Sequence, residues 1–367
     1  MGKINIALVG CGRIAHKHIE ALLNNREELS LYAVCDVVSE RAEAMAKAYK
    51  QGFAAAGLAE PDVKMTVNYK ELVADAAVQA VAIATESGKH GAIALEFLDA
   101  GKHALVEKPM ALSTQEADAM IELAEAKGLA LCVSHQNRFN PTVLKVRDAL
   151  ATGRFGRILA GNARILWNRN EDYYQQAPWR GTYEQDGGCL MNQCIHNIDL
   201  LQWMLGGEPQ QVQAMLANFV HPYIEAEDYG SIQVRFASGA IGNVEGTVCV
   251  YPRNLEETLT LLGEKGTVVI GGEALNRVQV WQFADGLDSL EQVREECNNE
   301  IDSVYGRGHT PLYADWTHAM QTGEAPLVDG RQGKIAMSII LHAYEAQTLG
   351  RAVRFGDKAL TAISYHK

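Results

Sequence analysis

The chain has 367 residues, 47% hydrophobic and 21% charged, which is the composition of a globular protein of about two domains. Its 33 Lys and Arg against 45 Asp and Glu give a net charge of -12, so we expect no nucleic-acid partner. The seven cysteines are odd in number, and neither a Cys-x-x-Cys pair, a secretion signal nor a membrane span is apparent. We therefore expect reduced thiols, a cytoplasmic location, no membrane partner and no metal site.

Short apolar runs alternate with amphipathic ones from residue 4 to about 135. The predicted strands cover 4–9, 30–35, 80–84, 104–106 and 130–133, and the predicted helices cover 14–24, 89–100 and 114–127. Strands this apolar, separated by helices, are typical of a parallel sheet covered on both faces. The sequence therefore predicts an α/β domain with a Rossmann-type doubly wound parallel sheet over residues 1–137.

The first strand runs into a glycine-rich turn, Gly10-Cys11-Gly12-Arg13-Ile14-Ala15, that opens a helix. In a dinucleotide fingerprint, Gly10 would permit the tight turn and Gly12 would leave room for the pyrophosphate, which binds the amides of the helix N-terminus. A glycine-rich turn without a ligand is the alternative. We predict a dinucleotide site here.

Asp36 ends the second predicted strand. A carboxylate at this position can accept hydrogen bonds from the adenosine ribose and would repel a 2′-phosphate, so we expect NAD rather than NADP as the cofactor. A helix N-cap is the alternative role for Asp36.

The pattern changes after about residue 155. Predicted strands cover 157–167, 211–220, 231–236, 241–251 and 257–262, with turns such as Ser238-Gly239 between them. This predicts a C-terminal α+β domain over residues 138–367 with a large, mostly antiparallel sheet. A final amphipathic helix over about 333–349 is expected to pack back on the body of the protein.

Two further segments suggest chemistry. Glu107-Lys108-Pro109 follows a predicted parallel strand, at the sheet edge where such folds hold ligands. A helix from about residue 188 would place a polar stripe along a ligand cleft; its members are Asn192, His196, Asp199 and Trp203. The alternatives are a surface lysine and a core histidine satisfied by the nearby aspartate.

These motifs occur in the order found in the glucose-fructose oxidoreductase, inositol dehydrogenase and rhizopine-catabolism (Gfo/Idh/MocA) family, which the chain resembles over its whole length. Segments similar to one branch, the UDP-N-acetyl-2-amino-2-deoxy-D-glucuronate 3-dehydrogenases, are Tyr173-Tyr174, Trp179 to Thr182, Met191 to Gln193, Tyr251 to Glu256 and Ser303 to Gly306. The chain departs from many relatives at Asn192, where they have Asp, and at Glu86, where the usual residue is Pro.

The resemblance implies site residues. It implies that Lys108 and His196 are catalytic, one as base and one as the donor that holds the substrate oxygen, in either order. The implied cofactor contacts are Gly10, Gly12, Arg13, Ile14, Asp36, Thr85, His90, Glu107, Lys108, Gln136, Trp179 and Arg180. The implied substrate contacts are Lys108, Arg169, Arg180, Asn192, His196, Tyr251, Asn254 and His309.

The resemblance also implies a reaction, the NAD-dependent oxidation at C3 of UDP-N-acetyl-D-glucosaminuronic acid, which supplies diacetamido-uronic acids for bacterial lipopolysaccharide and O-antigen. It implies a nucleotide-sugar partner and a homotetramer. Another sugar or inositol dehydrogenase, a non-catalytic NAD-sensing regulator and a metal-dependent hydrolase remain as alternatives.

Overall fold

The computed structural model describes residues 2–300, 306–356 and 359–365, and the chain forms two compact units. Within the described ranges, the first unit contains residues 2–111, 115–134 and 309–334, and the second contains 112–114, 135–308 and 335–365. Residues 309–334, expected in the second domain, thus belong to the first unit. The predicted domains 1–137 and 138–367 stay a prediction.

A parallel sheet of six strands forms the centre of the first unit, in the order β3-β2-β1-β4-β5-β6. The strands are β1 (Ile4–Val9), β2 (Leu29–Cys35), β3 (Lys64–Thr66), β4 (Ala80–Ile83), β5 (His103–Val106) and β6 (Leu131–Val133). The helices that follow them are α1 (Ala15–Asn24), α2 (Ser39–Ala55), α3 (Lys70–Ala74), α4 (His90–Asp99) and α5 (Thr114–Lys127). The central strands are buried, as their continuous apolar runs predict. This confirms the Rossmann-type prediction.

The second unit has a sheet of eight strands in the order β13-β12-β11-β7-β10-β9-β8-β14. They are β7 (Ile158–Leu166), β8 (Pro209–Ala217), β9 (Tyr229–Phe236), β10 (Ile241–Thr247), β11 (Glu256–Gly263), β12 (Gly266–Gly271), β13 (Arg277–Phe283) and β14 (Val353–Arg354). Every pair is antiparallel except β7 with β10. The predicted large, mostly antiparallel sheet is confirmed, and β12 to β14 extend it beyond the predicted strands.

The remaining helices are α6 (Pro141–Ala151), α7 (Glu171–Gln175), α8 (Ile195–Leu205), α9 (Leu290–Cys297), α10 (His309–Thr322) and α11 (Gly330–Leu349). A π-helical turn, Leu190–Cys194, leads directly into α8. The final helix begins at Gly330, earlier than predicted, and residues 335–349 belong to the second unit. Among the described residues, no helix has the length and apolarity to cross a membrane.

Helix α8 packs closely on the sheet of the second unit because glycines face it. A Cβ atom added to Gly246 on β10 would lie 2.6 Å from Sγ of Cys194, and one added to Gly161 on β7 would lie 2.7 Å from Cδ1 of Leu201. Real side chains do not approach this closely, so glycine is needed at these two positions. This close packing sets the distance between the π-helical turn and the sheet.

Candidate active site

The turn between β1 and α1 has the backbone that the fingerprint predicts. Gly10 has a φ of 96°, and a Cβ atom there would lie 2.4 Å from the carbonyl oxygen of Ala84. Around Gly12 there is open space, and Ala15 is fully buried where α1 packs on the sheet. Arg13 is exposed and Ile14 is half-buried beside this space. The turn therefore leaves the room that a dinucleotide pyrophosphate needs.

Asp36 joins this turn to the end of β2. One carboxylate oxygen accepts a hydrogen bond from the amide of Cys11 at 2.8 Å, and the other accepts one from the amide of Val38 at 2.9 Å. Each oxygen has a second lone pair that these bonds leave available for a ribose hydroxyl. The first bond crosses from one βα unit to the next, so Asp36 also holds the glycine turn in place.

The ends of β4 and β5 carry the next predicted residues. The imidazole of His90 lies 2.7 Å from the carbonyl oxygen of Pro109 and 3.1 Å from that of Thr85, and burial lowers the pKa of His90. The Lys108–Pro109 peptide bond is cis, and Lys108 is half-buried. His90 thus ties the two strand ends together and fixes the loop that presents Lys108.

Glu107 lies in a buried cluster with two histidines. Its Oε1 is 3.2 Å from Nε2 of His18 and 3.5 Å from Nε2 of His309, while Nδ1 of His18 is 2.8 Å from the hydroxyl of Tyr313. Burial opposes the charge, but the hydrogen bonds from His18 and His309 hold the pKa of Glu107 well below its usual value.

The Glu107 cluster holds His309, one of the predicted substrate residues. The ligand atoms of His18, Glu107 and His309 lie within 4.8 Å of one another, a spacing that could hold a cation, although ion pairing already explains it. His309 belongs to the first unit, whereas Arg169, Asn192 and Asn254 belong to the second.

In the second unit, the segment from residue 188 is not a regular α-helix. The π-helical turn Leu190–Cys194 comes first, and α-helical geometry starts at Ile195. A π turn is wider than an α turn, so it changes the register between Asn192 and the residues of α8. Such turns are frequent at functional sites.

The predicted polar stripe is therefore wrong at Asp199. This residue is fully buried, and its carboxylate accepts two hydrogen bonds from the guanidinium of Arg138, at 2.8 and 2.6 Å. Although burial favours the neutral acid, Arg138 and His135 keep the pKa of Asp199 below its usual value. The guanidinium of Arg138 also stacks on Trp203, 4.7 Å from the ring centre. Asp199 therefore serves the core rather than a ligand cleft.

His196, at the start of α8, is half-buried. The ring of His135 packs against it edge to face, with ring centres 5.7 Å apart. Gln136 follows His135 and is buried as well. Two imidazoles and the Arg138–Asp199 pair are thus grouped around the base of α8.

A small cavity lies at the π-helical turn. Its polar lining includes Tyr173, Asp186, Asn192 and Gln193, which form a hydrogen-bonded chain. The Asn192 amide donates to Asp186, and Nε2 of Gln193 donates to Oδ1 of Asn192 at 2.6 Å and to the Tyr173 hydroxyl at 2.9 Å. Sequence reasoning assigned no role to Tyr173, Asp186 or Gln193, although the first and last lie in segments shared with the resembled branch.

Two arginines continue this chain. Arg169 donates to Oε1 of Gln193 at 3.0 Å, and Arg180 donates to the Tyr173 hydroxyl at 2.5 Å. The guanidinium of Arg180 also lies 4.6 Å from the ring centre of Trp179. The structure therefore groups four of the predicted site residues around this cavity. They are Arg169, Trp179, Arg180 and Asn192.

The segment after β10 supplies one further contact. Oδ1 of Asn254 accepts hydrogen bonds from the amide of Asn168 at 2.9 Å and from Arg169 at 3.3 Å. Tyr251, which precedes a cis proline, is 90% exposed and stands apart from this cluster. The predicted motif residues Ser303, Val304 and Tyr305 lie outside the residues that the structure describes.

Comparison with known proteins agrees with the fold and the motifs. Residues 4–135 match the model of the oxidoreductase family with an NAD-binding Rossmann fold, and residues 143–269 match that of the GFO/IDH/MocA C-terminal domain. Inositol 2-dehydrogenase of Rhizobium meliloti is 30% identical over 271 residues, which cover 72% of this chain and 74% of that protein.

Two solved structures are similar over almost the whole chain. The WlbA dehydrogenase of Bordetella pertussis in complex with NADH and UDP-GlcNAcA is 35% identical, with a TM-score of 0.86, and covers 97% of this chain and 99% of its own. The WlbA dehydrogenase of Chromobacterium violaceum, in complex with the same two ligands, is 34% identical, with a TM-score of 0.84 and 97% coverage of each chain.

The fold and the motifs define an oxidoreductase with a Rossmann-type cofactor unit and a second unit built on a large sheet. The chain belongs to the Gfo/Idh/MocA family of oxidoreductases, and its cofactor is NAD. The inositol and sugar dehydrogenases among its relatives support NAD-dependent oxidation of a CH–OH group.

Proposed function

We propose that the protein oxidises the C3 hydroxyl of UDP-N-acetyl-D-glucosaminuronic acid to the 3-keto sugar. The observation that carries this proposal is the cationic and amide chain beside the cavity of the second unit, in which Arg169 donates to Gln193 and Arg180 donates to Tyr173. Guanidinium groups held by neutral partners suit carboxylate and phosphate ligands. The similarity to two WlbA dehydrogenases crystallised with UDP-GlcNAcA supports the same substrate.

The reaction requires that the hydride leave C3 while the hydroxyl proton leaves O3. NAD supplies the hydride acceptor. We propose that Lys108 and His196 divide the other two tasks, one taking the proton and the other stabilising the developing alkoxide by charge or hydrogen bonding. Histidine is the side chain whose ordinary pKa lies nearest to neutral pH, which suits His196 to the role of base. We propose that Asn192, held by Asp186, orients a sugar hydroxyl.

For the cellular role, we propose that the 3-keto product enters the synthesis of diacetamido-uronic acids for lipopolysaccharide and O-antigen. The proposed setting is the cytoplasm, and the proposed assembly is a homotetramer. Both agree with the resemblance to the UDP-sugar dehydrogenase branch.

The test is incubation of the purified protein with NAD and UDP-N-acetylglucosaminuronic acid, with NADH absorbance and product mass as readouts. We expect NADH to form together with a product two hydrogens lighter than the substrate. UDP-N-acetylglucosamine, which lacks the carboxylate, is the matched control substrate and should react poorly.

A second candidate substrate is myo-inositol, because inositol 2-dehydrogenase is 30% identical over most of its length. Oxidation of myo-inositol without oxidation of the uronic sugar would reject the proposed substrate and leave the family assignment intact. Binding of NAD without turnover of either compound would favour a non-catalytic sensor.

A further inference from the structure

His221 is a buried histidine that the proposed reaction does not use. It is 4% exposed, and its ring stands between two acceptors. Nδ1 lies 2.8 Å from Oδ2 of Asp228, and Nε2 lies 2.7 Å from the carbonyl oxygen of Arg169. A carbonyl and a carboxylate both accept and cannot donate, so each ring nitrogen must carry a hydrogen for both contacts to be hydrogen bonds. Because one of these acceptors is a carboxylate, whose negative charge attracts a cation, the geometry favours an imidazolium.

The surroundings support the positive charge. Burial lowers the pKa of His221, but the hydrogen bonds to Asp228 and to the Arg169 carbonyl, together with the negative charge of Asp228, outweigh it and raise this pKa to about 10. Burial likewise opposes the charge on Asp228, yet hydrogen bonds from His221 and from backbone amides lower its pKa to about 2. The titratable and charged groups that face the ring are Asp228, Cys249, Tyr174, Tyr223 and Arg169.

Asp228 is itself fixed by the backbone. Its carboxylate accepts hydrogen bonds from the amides of Phe219 and Val220, at 2.8 and 2.9 Å, and from that of His221 at 3.2 Å. Its own amide and carbonyl are bonded to neighbouring strands. The Asp228 carboxylate is therefore held in one position, and through it the His221 ring is held where it bonds the carbonyl of Arg169.

The contact reaches the candidate substrate site through Arg169. The carbonyl of Arg169 accepts from His221, and its amide donates to the carbonyl of Val248 at 3.0 Å, so its main chain is held on both sides. From this anchor, its guanidinium reaches Gln193 and stacks 4.8 Å from the ring centre of Trp167. Tyr174 packs on the His221 ring and also lines the cavity.

We propose that His221 is a positioning residue, an imidazolium bonded between Asp228 and Arg169 that holds the Arg169 guanidinium in place to bind the carboxylate of the sugar substrate. The identity of that ligand rests on the proposed function; the charge of His221 and its hold on Arg169 do not. His221 would thus affect substrate specificity, because the Arg169 guanidinium binds the carboxylate of the substrate rather than the reacting carbon.

The first experiment is a double-mutant cycle on ligand binding. We expect His221→Gln to weaken the binding of UDP-N-acetylglucosaminuronic acid about tenfold and to leave the binding of UDP unchanged. If His221 acts through Arg169, the double variant R169A/H221Q should bind no more weakly than R169A. Independent, additive losses would overturn the proposal. The exposed histidine variant His318→Gln is the matched control and should bind as the wild type does.

The second experiment does not need the ligand. Nitrogen NMR of protein labelled in the histidine rings, with His221 assigned through H221Q, should show both ring nitrogens protonated at pH 8; a neutral ring would overturn the proposal. A crystal structure of H221Q should show the Arg169 guanidinium displaced from Gln193, and an unmoved guanidinium would count against it.

The outcomes separate the two proposals. If the wild type binds no uronic sugar while His221 is charged and H221Q displaces Arg169, the substrate is wrong and the positioning role stands. His221→Lys keeps a donor and a charge, so it should restore part of the affinity that H221Q loses. If H221Q does not fold, the smaller neutral variant His221→Asn replaces it in the cycle and in the NMR assignment.

Discussion

The predicted preference for NAD over NADP depends on a single carboxylate, that of Asp36. Asp36 accepts hydrogen bonds from Cys11 and Val38, so its position is set before any ligand binds. Asp36→Ser removes the charge that would repel a 2′-phosphate, and we expect the preference for NAD over NADP to relax. The measurement is the affinity for both cofactors by fluorescence titration. Equal preference in the variant and the wild type would contradict the assigned role of Asp36.

The chemical step is proposed to depend on Lys108 and His196. We expect Lys108→Ala and His196→Ala each to reduce kcat by about 10²-fold or more, because each removes a proton acceptor or a stabilising donor. NAD binding should change little in His196→Ala, since His196 is not among the implied cofactor contacts. Single-turnover kinetics at saturating NAD checks the prediction. Near wild-type turnover in either variant would exclude that residue from catalysis.

At the scale of single elements, the π-helical turn depends on glycine in the strand beneath it. Gly246→Ala would place a Cβ atom 2.6 Å from Sγ of Cys194 and 3.1 Å from Cδ2 of Leu190. We expect the free energy of unfolding to fall by about 1–3 kcal/mol, because the π-helical turn is packed too closely on β10 to absorb the methyl group. Urea denaturation measures it. Gly356→Ala, at a position with open space, is the control and should be neutral.

The sequence could predict the elements whose signals are local. The run from Ile4 to Val9, the turn at Gly10 and the end of β2 at Asp36 carry their pattern within a few residues, and each is found where expected. The short edge strand Lys64–Thr66 could not be predicted, since two exposed residues and one half-buried residue show no apolar alternation.

The candidate site was less predictable than the fold. Periodicity assumes a constant number of residues per turn, so it could not predict the π turn at 190–194, and it carries no sign of the Arg138 guanidinium that holds Asp199 in the core. The partners of the site residues were also missed: Asp186 bonds Asn192, and His221 bonds Arg169, through contacts that sequence spacing does not encode. His309 lies beside Glu107, a neighbour distant in sequence.

At the scale of the whole molecule, stability should depend on pH through buried acids. Burial raises the pKa of Glu257, despite a hydrogen bond from Asn197, to about 8, above its ordinary value of 4.5. At a pH between these two pKa values, Glu257 keeps its proton in the folded chain and has released it in the unfolded chain. Raising the pH from about 5 to 8 therefore lowers the free energy of unfolding.

Glu257→Gln replaces the neutral acid with a neutral amide of similar shape. We expect the pH dependence of unfolding between pH 5 and 8 to flatten and the stability at pH 8 to rise by about 1–3 kcal/mol. Thermal and urea unfolding at several pH values measure both effects. An unchanged slope would mean that Glu257 is ionised in the folded protein, and the exposed variant Glu295→Gln provides the baseline.

Cys11 occupies the second position of the cofactor turn, where the backbone must stay open to a ligand. Burial and the neighbouring Asp36 raise the pKa of its thiol to about 12. Since the thiolate is the form that peroxides and alkylating agents attack, a cysteine at this position is chemically quiet at neutral pH. Burial, helped by the carboxylate predicted to select the cofactor, thereby also protects the turn against oxidation.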